Sequence, residues 1–437
     1  MLKFLCCFLL GLVSVSTAWA ASGDDAVLRA QAAFVARQVA TLERAAVDVP
    51  ADHVLSPYVE YWRLMLSGRG DEARIAEFLA RYPDSRVAEL LRADWLKTLG
   101  ARADWPLYLA EYPRLVKPDA AHRCYAYRAE WAQGNLEHQR DAIAMWFTGR
   151  DLPAACTPLF TQLIEAGLLG EEDLWRRMRL ALEAGNPGVA RSVASLLPEA
   201  QRPAASLFDQ AARDPARLLN TEGKLDFGRR GDREIALYAL DQLAKNSSAQ
   251  AERALRARAQ QLRADQGRVA RARLAAWAAR RHEAVALDWF QQAGTVAVTD
   301  FQREWWVRAA LRGGDWKTVQ RVIDSMGDSS RALPVWRYWR ARALQASGQR
   351  PAANVLFLAL SREHHYYGQL AQEELGPVMQ APVINIKAGG DDLAAIARHP
   401  GIMRAQALYE LGLRSDASLE WNWTIQAFTD AQLLAAA

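Results

Sequence analysis

Arginine and aromatic side chains are the residues of this chain whose types and spacing could do chemistry. Nine arginines lie in the stretch from Glu252 to Arg281, against two acidic residues. Trp305-Trp306 and the run 336–340 add indole and phenol rings. Guanidinium groups bind carboxylates through paired hydrogen bonds, and flat rings stack on sugar faces. The pattern predicts a surface for an anionic, sugar-rich polymer, with these candidate glycan-binding residues: Arg256, Arg263 and Arg271.

The same residues also have an interpretation that needs no ligand. Arginine is a good former of exposed helix surface, and tryptophan at the joint of two helices usually packs there. Both interpretations stay open on the sequence alone.

No residue is nominated for catalysis, metal binding or cofactor binding. The chain has no G-x-S-x-G, H-E-x-x-H, P-loop or G-x-G-x-x-G motif. His364 and His365 are adjacent, so on a helix they would point about 100° apart, and a polar surface turn is the better interpretation. Paired carboxylates at 171–172 and 373–374 lie beside arginines on predicted helices and indicate solvated faces.

The amino-acid composition limits which classes of partner the chain is expected to bind. The 437 residues are 51% hydrophobic, which allows a large core. The 54 basic residues are nearly balanced by 50 acidic ones, whereas a general nucleic-acid binder carries a concentrated excess of positive charge. We therefore expect no nucleic-acid partner.

Residues 1–20 have the pattern of a cleavable signal peptide. Lys3 is followed by an apolar run, and Ala18-Trp19-Ala20 fits a cleavage site. The apolar run is too short to span a bilayer, and no later stretch is long enough, so we expect no integral membrane segment after cleavage. Export would leave Cys124 and Cys156, and a lone pair in an oxidising compartment predicts a disulfide. Two separate buried thiols are the alternative.

A helix–turn–helix pattern recurs between residues 100 and 348. Small turn residues separate amphipathic segments, with glycine at 100, 134, 185, 267, 313–314 and 348. In one unit an apolar stripe ends at Gly185, and Asn186-Pro187 begins the next helix. The stripe comprises Leu174, Trp175, Met178, Ala181 and Leu182. The pattern predicts an all-α superhelical solenoid of tetratricopeptide-like antiparallel helix pairs.

One boundary is visible near residues 376–392, where proline and glycine cluster and the helical periodicity lapses. Helical pattern resumes at Leu393. The last apolar, alanine-rich segment ends at Ala437 without a capping residue, so we expect a truncated domain there.

Several stretches in chain order resemble one family. The chain is similar to the superhelical, U-shaped part of soluble lytic transglycosylases, periplasmic enzymes of Gram-negative bacteria. The matching stretches are Leu55–Tyr61 (L-S-P-Y-V-E-Y), the Cys-flanked segment Cys124–Cys156, Arg179–Asn186 (R-L-A-L-E-A-G-N), Trp336–Trp339 (W-R-Y-W) and Tyr366–Gly376 (Y-Y-G-Q-L-A, then L-G).

The resemblance implies a U- or ring-shaped α-superhelix over residues 21–380 and the beginning of a helical linker domain over 381–437. It also implies a role in peptidoglycan turnover. The family enzyme cleaves the β-1,4 bond between N-acetylmuramic acid and N-acetylglucosamine and forms a 1,6-anhydro product. Its catalytic Glu lies in a lysozyme-like domain marked by Glu-Ser, "G-L-M-Q" and "A-Y-N-A-G", none of which this chain contains.

The sequence therefore predicts the non-catalytic superhelical part of a periplasmic lytic transglycosylase, with peptidoglycan as partner and other periplasmic cell-wall enzymes as further partners. A periplasmic helical-repeat adaptor that binds proteins is the alternative.

Overall fold

The structure, a computed structural model, describes residues 23–68, 70–294, 298–376 and 389–437. These residues form α-helices joined by short turns, and no β-strand occurs among them. The predicted all-α fold is confirmed. The helices are α1 (23–35), α2 (Val39–Val47), α3 (Ser56–Arg63), α4 (Glu72–Arg81), α5 (Arg86–Ala101), α6 (Trp105–Glu111), α7 (Ala120–Ala132), α8 (Gln139–Trp146), α9 (Thr157–Glu165), α10 (Glu171–Glu183), α11 (Pro187–Ala194), α12 (Ala205–Arg213), α13 (Pro215–Asn220), α14 (Arg230–Asn246), α15 (Ser248–Arg258), α16 (Ala264–Arg280), α17 (Val285–Ala293), α18 (Asp300–Arg312), α19 (Trp316–Asp324), α20 (Asp328–Arg331), α21 (Pro334–Ala346), α22 (Arg350–Leu360), α23 (Tyr366–Leu375), α24 (Gly390–Ala397), α25 (Pro400–Glu410), α26 (Arg414–Thr424) and α27 (Asp430–Ala436).

The described residues divide into two compact units. The first takes its residues from 1–144, 152–165 and 384–437, and the second from 145–151 and 166–383. The predicted signal peptide, residues 1–20, lies outside the described residues, as does the predicted domain boundary at 380/381. The division into 21–380 and 381–437 stays a prediction.

In the second unit, helix pairs repeat along the chain. α10 packs on α11, α14 on α15, α16 on α17, α18 on α19 and α21 on α22. The first helix of one pair also contacts that of the next, as α14 does with α16 and α16 with α18. Such pairs bury their remaining apolar faces by stacking on their neighbours. The helix-pair repeat predicted from the turn spacing is therefore present in this unit.

The apolar stripe predicted for α10 is buried over its whole length, from Leu174 to Leu182. Gly185 has a φ of 77°, the left-handed conformation that favours glycine after a helix, and Pro187 begins α11. Asn186 occupies the capping position, but its side chain does not cap. It instead donates a 2.7 Å hydrogen bond from Nδ2 to the carbonyl oxygen of Gly149.

Two of the predicted glycine turns are wrong. Gly100 lies inside α5, and Gly267 lies inside α16. The turns that follow these helices use non-glycine residues in the left-handed conformation, Ala103 with φ 61° and His282 with φ 64°. Gly100 is required for another reason: a Cβ at this position would overlap the ring of Tyr125 on α7.

In the first unit, one apolar core joins helices from both ends of the sequence. Leu408 of α25 and Ala417 of α26 are buried in the same cluster as Tyr58 of α3 and Leu91 of α5. α26 also contacts α5 directly. Residues after 389 thus pack against the N-terminal helices, which the sequence pattern did not predict.

Across the described part of the chain, the structure contains no helix with the length and apolarity needed to cross a membrane.

Candidate functional site

Two of the three candidate glycan-binding arginines share one carboxylate. Arg256 on α15 donates a 2.6 Å hydrogen bond from Nε to Glu252, and Arg271 on α16 forms an ion pair with the other oxygen of Glu252. The Arg256 side chain is 76% exposed, whereas that of Arg271 is 17% exposed and lies 5.8 Å from the ring centre of Trp289. A ligand carboxylate would compete with Glu252 for both guanidinium groups.

The third candidate, Arg263, lies apart from that pair. It is exposed and precedes the first turn of α16, where the Gln266 side chain accepts a 3.3 Å hydrogen bond from its backbone N–H. Arg271 follows it eight positions later in the chain, which is about 12 Å along a helix axis. The structure therefore brings Arg256 and Arg271 together but not Arg263, and their glycan binding stays a prediction.

Most of the aromatic residues singled out from the sequence serve packing. Trp306 stacks on Phe290 with ring centres 5.1 Å apart, and Trp336 is 1% exposed. Tyr338 is buried against Trp339 and Phe357. The packing interpretation fits these residues, but Trp305 remains partly exposed.

Trp305 belongs to a surface that the sequence analysis did not predict. We name it the Arg–aromatic surface, defined by Trp277 and Arg280 of α16 and by Phe301, Trp305 and Arg308 of α18. The Arg280 guanidinium lies 4.5 Å from the ring centre of Trp277 and 5.9 Å from that of Trp305. The Arg308 guanidinium lies 4.8 Å from Trp305 and pairs with Glu304 at 3.3 Å. The guanidinium of Arg280 thus lies between the indoles of Trp277 and Trp305, and that of Arg308 lies on Trp305 as well.

A buried polar network beneath this surface holds the indole of Trp277. Trp277 donates a 2.9 Å hydrogen bond from Nε1 to Asp241 on α14, and burial raises the pKa of that carboxyl. Arg273 is buried and pairs with Glu183 on α10 at 2.6 Å. Burial opposes the charge of Arg273, but Glu183 and Asp241 outweigh it and raise its pKa. The network joins α10, α14 and α16 through charged groups that have partners inside the protein.

A second charge pair, with a buried carboxylate, joins the same three helices about one turn away on α10 and about two turns away on α14 and α16. Glu234 of α14 is 1% exposed and accepts a 2.7 Å hydrogen bond from Nε of Arg179 on α10. Gln266 of α16 lies 3.4 Å from the same carboxylate and also accepts from Arg233 at 3.1 Å. These contacts hold α16, one of the two helices that carry the Arg–aromatic surface, against α10 and α14.

The predicted disulfide is present in the first unit. Cys124 of α7 is bonded to Cys156, and their Cα atoms are 5.0 Å apart. Both residues are buried, and the bond ties α7 to the segment that begins α9.

The first unit also contains a buried charge cluster that sequence reasoning missed. Glu420 of α26 is fully buried and accepts hydrogen bonds from Tyr58 Oη at 2.8 Å and from Arg404 Nε at 2.6 Å. Burial and the Glu420 carboxylate raise the pKa of Tyr58. Tyr58 lies in the matched stretch Leu55–Tyr61, but its partners are more than 340 residues away, so no local pattern could reveal them.

A cavity of about 500 Å³ lies between α25, α26 and α27 and is lined by Ile402, Tyr409, Ala417 and Trp421 among others. In residues 23–68, 70–294, 298–376 and 389–437, no group of His, Cys, Asp or Glu is arranged to hold a metal ion.

Two curated relatives are similar to this chain in sequence. The soluble lytic murein transglycosylase of Salmonella typhimurium (strain LT2) is 27% identical over 380 residues, and that of Escherichia coli (strain K12) is 26% identical over the same length. Each alignment covers 85% of this chain and 58% of the relative. The chain thus spans less than two thirds of the length of the curated relatives it matches. No model of a known protein family matches it.

Solved structures show the same similarity. An inactive mutant of the lytic transglycosylase Slt from Pseudomonas aeruginosa superimposes with a TM-score of 0.64 at 26% identity, covering 94% of this chain and 67% of that one. The 70-kDa soluble lytic transglycosylase from Escherichia coli superimposes with a TM-score of 0.56 at 24% identity, with the same coverage. The resemblance inferred from the motifs is confirmed, and the chain is a homologue of the soluble lytic murein transglycosylases over most of its own length.

Proposed function

We propose that this chain is the non-catalytic, superhelical part of a periplasmic lytic transglycosylase and binds peptidoglycan. The observation that carries the proposal is the similarity to soluble lytic murein transglycosylases over 85% of the chain. The proposal includes the division into a superhelical domain at 21–380 and the beginning of a linker domain at 381–437.

The chemistry of the second unit supports a carboxylated sugar polymer as the ligand. The Arg–aromatic surface offers partly exposed rings for sugar faces and guanidinium groups for carboxylates. Peptidoglycan supplies both, because its sugar strands carry peptide stems that end in carboxylates. Other periplasmic cell-wall enzymes are proposed as further partners.

A periplasmic location follows from the proposed export. Residues 1–20 have the pattern of a signal peptide, and the bond between Cys124 and Cys156 suits an oxidising compartment.

The family's catalytic motifs, Glu-Ser, "G-L-M-Q" and "A-Y-N-A-G", do not occur in this sequence. We therefore propose that the chain contributes binding, and that cleavage of the β-1,4 bond with formation of a 1,6-anhydro product needs a catalytic domain that carries those motifs.

Co-sedimentation with purified murein sacculi tests the proposal. Chain without residues 1–20 is mixed with sacculi at low ionic strength, with insoluble chitin as a matched polymer that has the β-1,4 backbone but no peptide stems. We expect saturable retention on sacculi and weaker retention on chitin. Retention on neither polymer would contradict peptidoglycan binding and favour the helical-repeat adaptor.

A further inference from the structure

Arg280 has an unusual position within the Arg–aromatic surface. It is the last residue of α16, it is exposed, and three rings surround its guanidinium. The ring centres of Trp277, Phe301 and Trp305 lie 4.5, 5.8 and 5.9 Å from its Cζ atom. Stacking against rings holds a guanidinium flat and leaves the N–H groups at its edge directed away from the rings.

The charge of Arg280 is not neutralised by a neighbour. The nearby arginines each pair with a glutamate: Arg271 with Glu252, Arg273 with Glu183 and Arg308 with Glu304. Within the part of the chain that the structure describes, Arg280 has neither an ion pair nor a side-chain hydrogen bond. Its in-plane donors therefore remain available for a carboxylate from outside, which a guanidinium binds in a two-bond geometry.

The surrounding rings indicate what should carry that carboxylate. Phe301 is 51% exposed, although a phenyl ring gains from being covered, and Trp305 beside it is partly exposed. The ring centres of Phe301 and Trp305 are 6.5 Å apart and their planes meet at 68°, so together they form a corner next to Arg280. A sugar face covering one ring would bring its own substituent within reach of the guanidinium.

We propose that Arg280, Phe301 and Trp305 form a subsite that binds a carboxylate-bearing sugar of the peptidoglycan strand, with Trp277 as the platform that orients Arg280. The proposal rests on the proposed function and adds the recognised group to it. In intact strands the carboxylate comes from the peptide stem, because the lactyl carboxyl of muramic acid is bound in the amide to that stem. Only removal of the stem frees the lactyl carboxylate beside the sugar ring.

Single-stranded nucleic acid is the other polymer that combines rings and negative charge. Its backbone has a phosphate at every nucleotide and is bound by a continuous run of unpaired cations. On the Arg–aromatic surface Arg308 already pairs with Glu304, which leaves one unpaired guanidinium. A single carboxylate beside a ring face matches this arrangement better.

The experiment compares Arg280→Gln with Arg312→Gln. Arg312 is the exposed last residue of α18 and so occupies the same position on the neighbouring helix, and it contacts no aromatic ring among the described residues. Binding of soluble peptidoglycan strands with intact stems is measured by titration calorimetry at low salt. We expect Arg280→Gln to bind about tenfold more weakly than wild type, and Arg312→Gln to bind like wild type. Arg280→Lys should recover only part of the loss, because an ammonium cannot form the paired bonds. Phe301→Ala, an exposed change that should not affect folding, should also weaken binding.

Three further ligands identify the recognised group. They are strands stripped of their stems by an amidase, which exposes the lactyl carboxylate, chitin oligomers without carboxylates, and an oligothymidylate. Weaker binding of stripped strands assigns the contact to a carboxylate of the stem, whereas undiminished binding shows that the subsite also accepts the lactyl carboxylate that stripping exposes. Chitin oligomers should bind wild type as weakly as Arg280→Gln binds intact strands.

The proposal is overturned if Arg280→Gln and Phe301→Ala bind intact strands like wild type, if chitin oligomers bind wild type as tightly as the strands, or if the oligothymidylate is the preferred ligand. Its failure is distinguishable from that of the proposed function. Normal binding by both variants, with wild type retained on sacculi, overturns the subsite alone, whereas no binding by wild type contradicts both.

Discussion

Glu420 joins buried polar side chains from both ends of the sequence in the first unit. Its carboxylate is fully buried and accepts hydrogen bonds from Tyr58 Oη and Arg404 Nε. Among the described residues Arg404 Nη2 has no hydrogen-bond partner. Removing one member of a buried charge pair leaves the other without compensation in a poorly solvating interior. The two ends of the sequence therefore depend on one carboxylate where α3, α25 and α26 meet.

We expect Glu420→Ala to reduce the free energy of unfolding by about 3–5 kcal/mol, because it leaves the Arg404 guanidinium buried and unpaired. Glu410→Ala, an exposed change on α25, is the control and should stay within about 0.5 kcal/mol of wild type. Urea unfolding followed by circular dichroism measures both. The double variant Glu420→Leu with Arg404→Met should regain part of the loss. Equal midpoints for the two single variants would show that the buried pair contributes little.

Asp119 predicts a pH dependence at the first turn of α7. It accepts a 3.1 Å hydrogen bond from the N–H of His122 and lies 2.8 Å from Nζ of Lys97. Burial opposes its charge, but these partners outweigh burial and lower its pKa to about 2. Because the pKa in the folded state lies below 3.8, the ordinary value of an aspartate, the stabilisation is present above about pH 4 and is lost as the pH falls through about 2.

Asp119→Ala should therefore be less stable than wild type by about 1 kcal/mol near neutral pH, the usual loss for a helix cap. The difference should shrink as the pH falls from about 4 to 2, where the wild-type carboxyl also loses its charge. Urea midpoints of both proteins across this range measure the effect. A difference that stays constant would contradict the role assigned to the charged carboxylate.

Among the contacts of individual residues, some could be predicted from the sequence and others could not. The Cys124–Cys156 bond could be inferred because the predicted loss of the signal peptide leaves two cysteines and one simple pairing. The ring contacts of Arg280 could not, because they depend on how α16 stacks on α18. The pairing of Glu252 with both Arg256 and Arg271 was also missed, since helical spacing reveals only the neighbour four residues away.

At the scale of the helix, the sequence did not show which glycines end a helix and which lie inside one. A glycine after an apolar stripe predicts a helix end, and Gly134, Gly185 and Gly348 have the expected positive φ. Gly100 and Gly267 follow similar stripes but lie within helices. The packing of α7 explains Gly100, because a Cβ there would meet the ring of Tyr125. At Gly267 no atom lies within 4 Å of an added Cβ.

This contrast gives a paired prediction. Gly100→Ala should destabilise the protein by about 1–3 kcal/mol, because the new methyl group overlaps the Tyr125 ring. Gly267→Ala should stabilise it by about 0.5–1 kcal/mol, because alanine restricts the unfolded chain and meets open space in the helix. Thermal unfolding of both variants gives the signs. Effects of the same sign would show that helix propensity alone, rather than the contact with Tyr125, controls position 100.

At the scale of the whole molecule, the all-α class and the helix-pair repeat followed from the sequence because the periodicity of each helix is local. The packing of α26 on α5 did not, since it joins segments more than 300 residues apart in the chain. The Arg–aromatic surface also depends on contacts between helices, so no local pattern could assemble it. The ligand class is proposed from the motif resemblance, and the candidate glycan-binding arginines stay a prediction.

The proposal that this chain binds peptidoglycan and that cleavage needs a catalytic domain predicts that the chain alone has no transglycosylase activity. Incubated with purified sacculi, this protein should release no 1,6-anhydromuropeptides above a buffer control, because a positioned acid–base group contributes about 10²–10⁴-fold and the motifs that supply it in the family do not occur here. Chromatography with mass detection of the released fragments measures the product. Turnover clearly above the control would show that a catalytic group exists within residues 21–437.

The binding isotherm of the chain on purified sacculi as a function of salt tests the central claim most directly. If guanidinium groups hold peptidoglycan carboxylates, binding should be saturable at low ionic strength and should weaken steadily as salt shortens the Debye length from about 30 Å at 0.01 M to about 8 Å at 0.15 M. Absence of saturable binding at the lowest salt, or binding that does not respond to salt, would contradict the account.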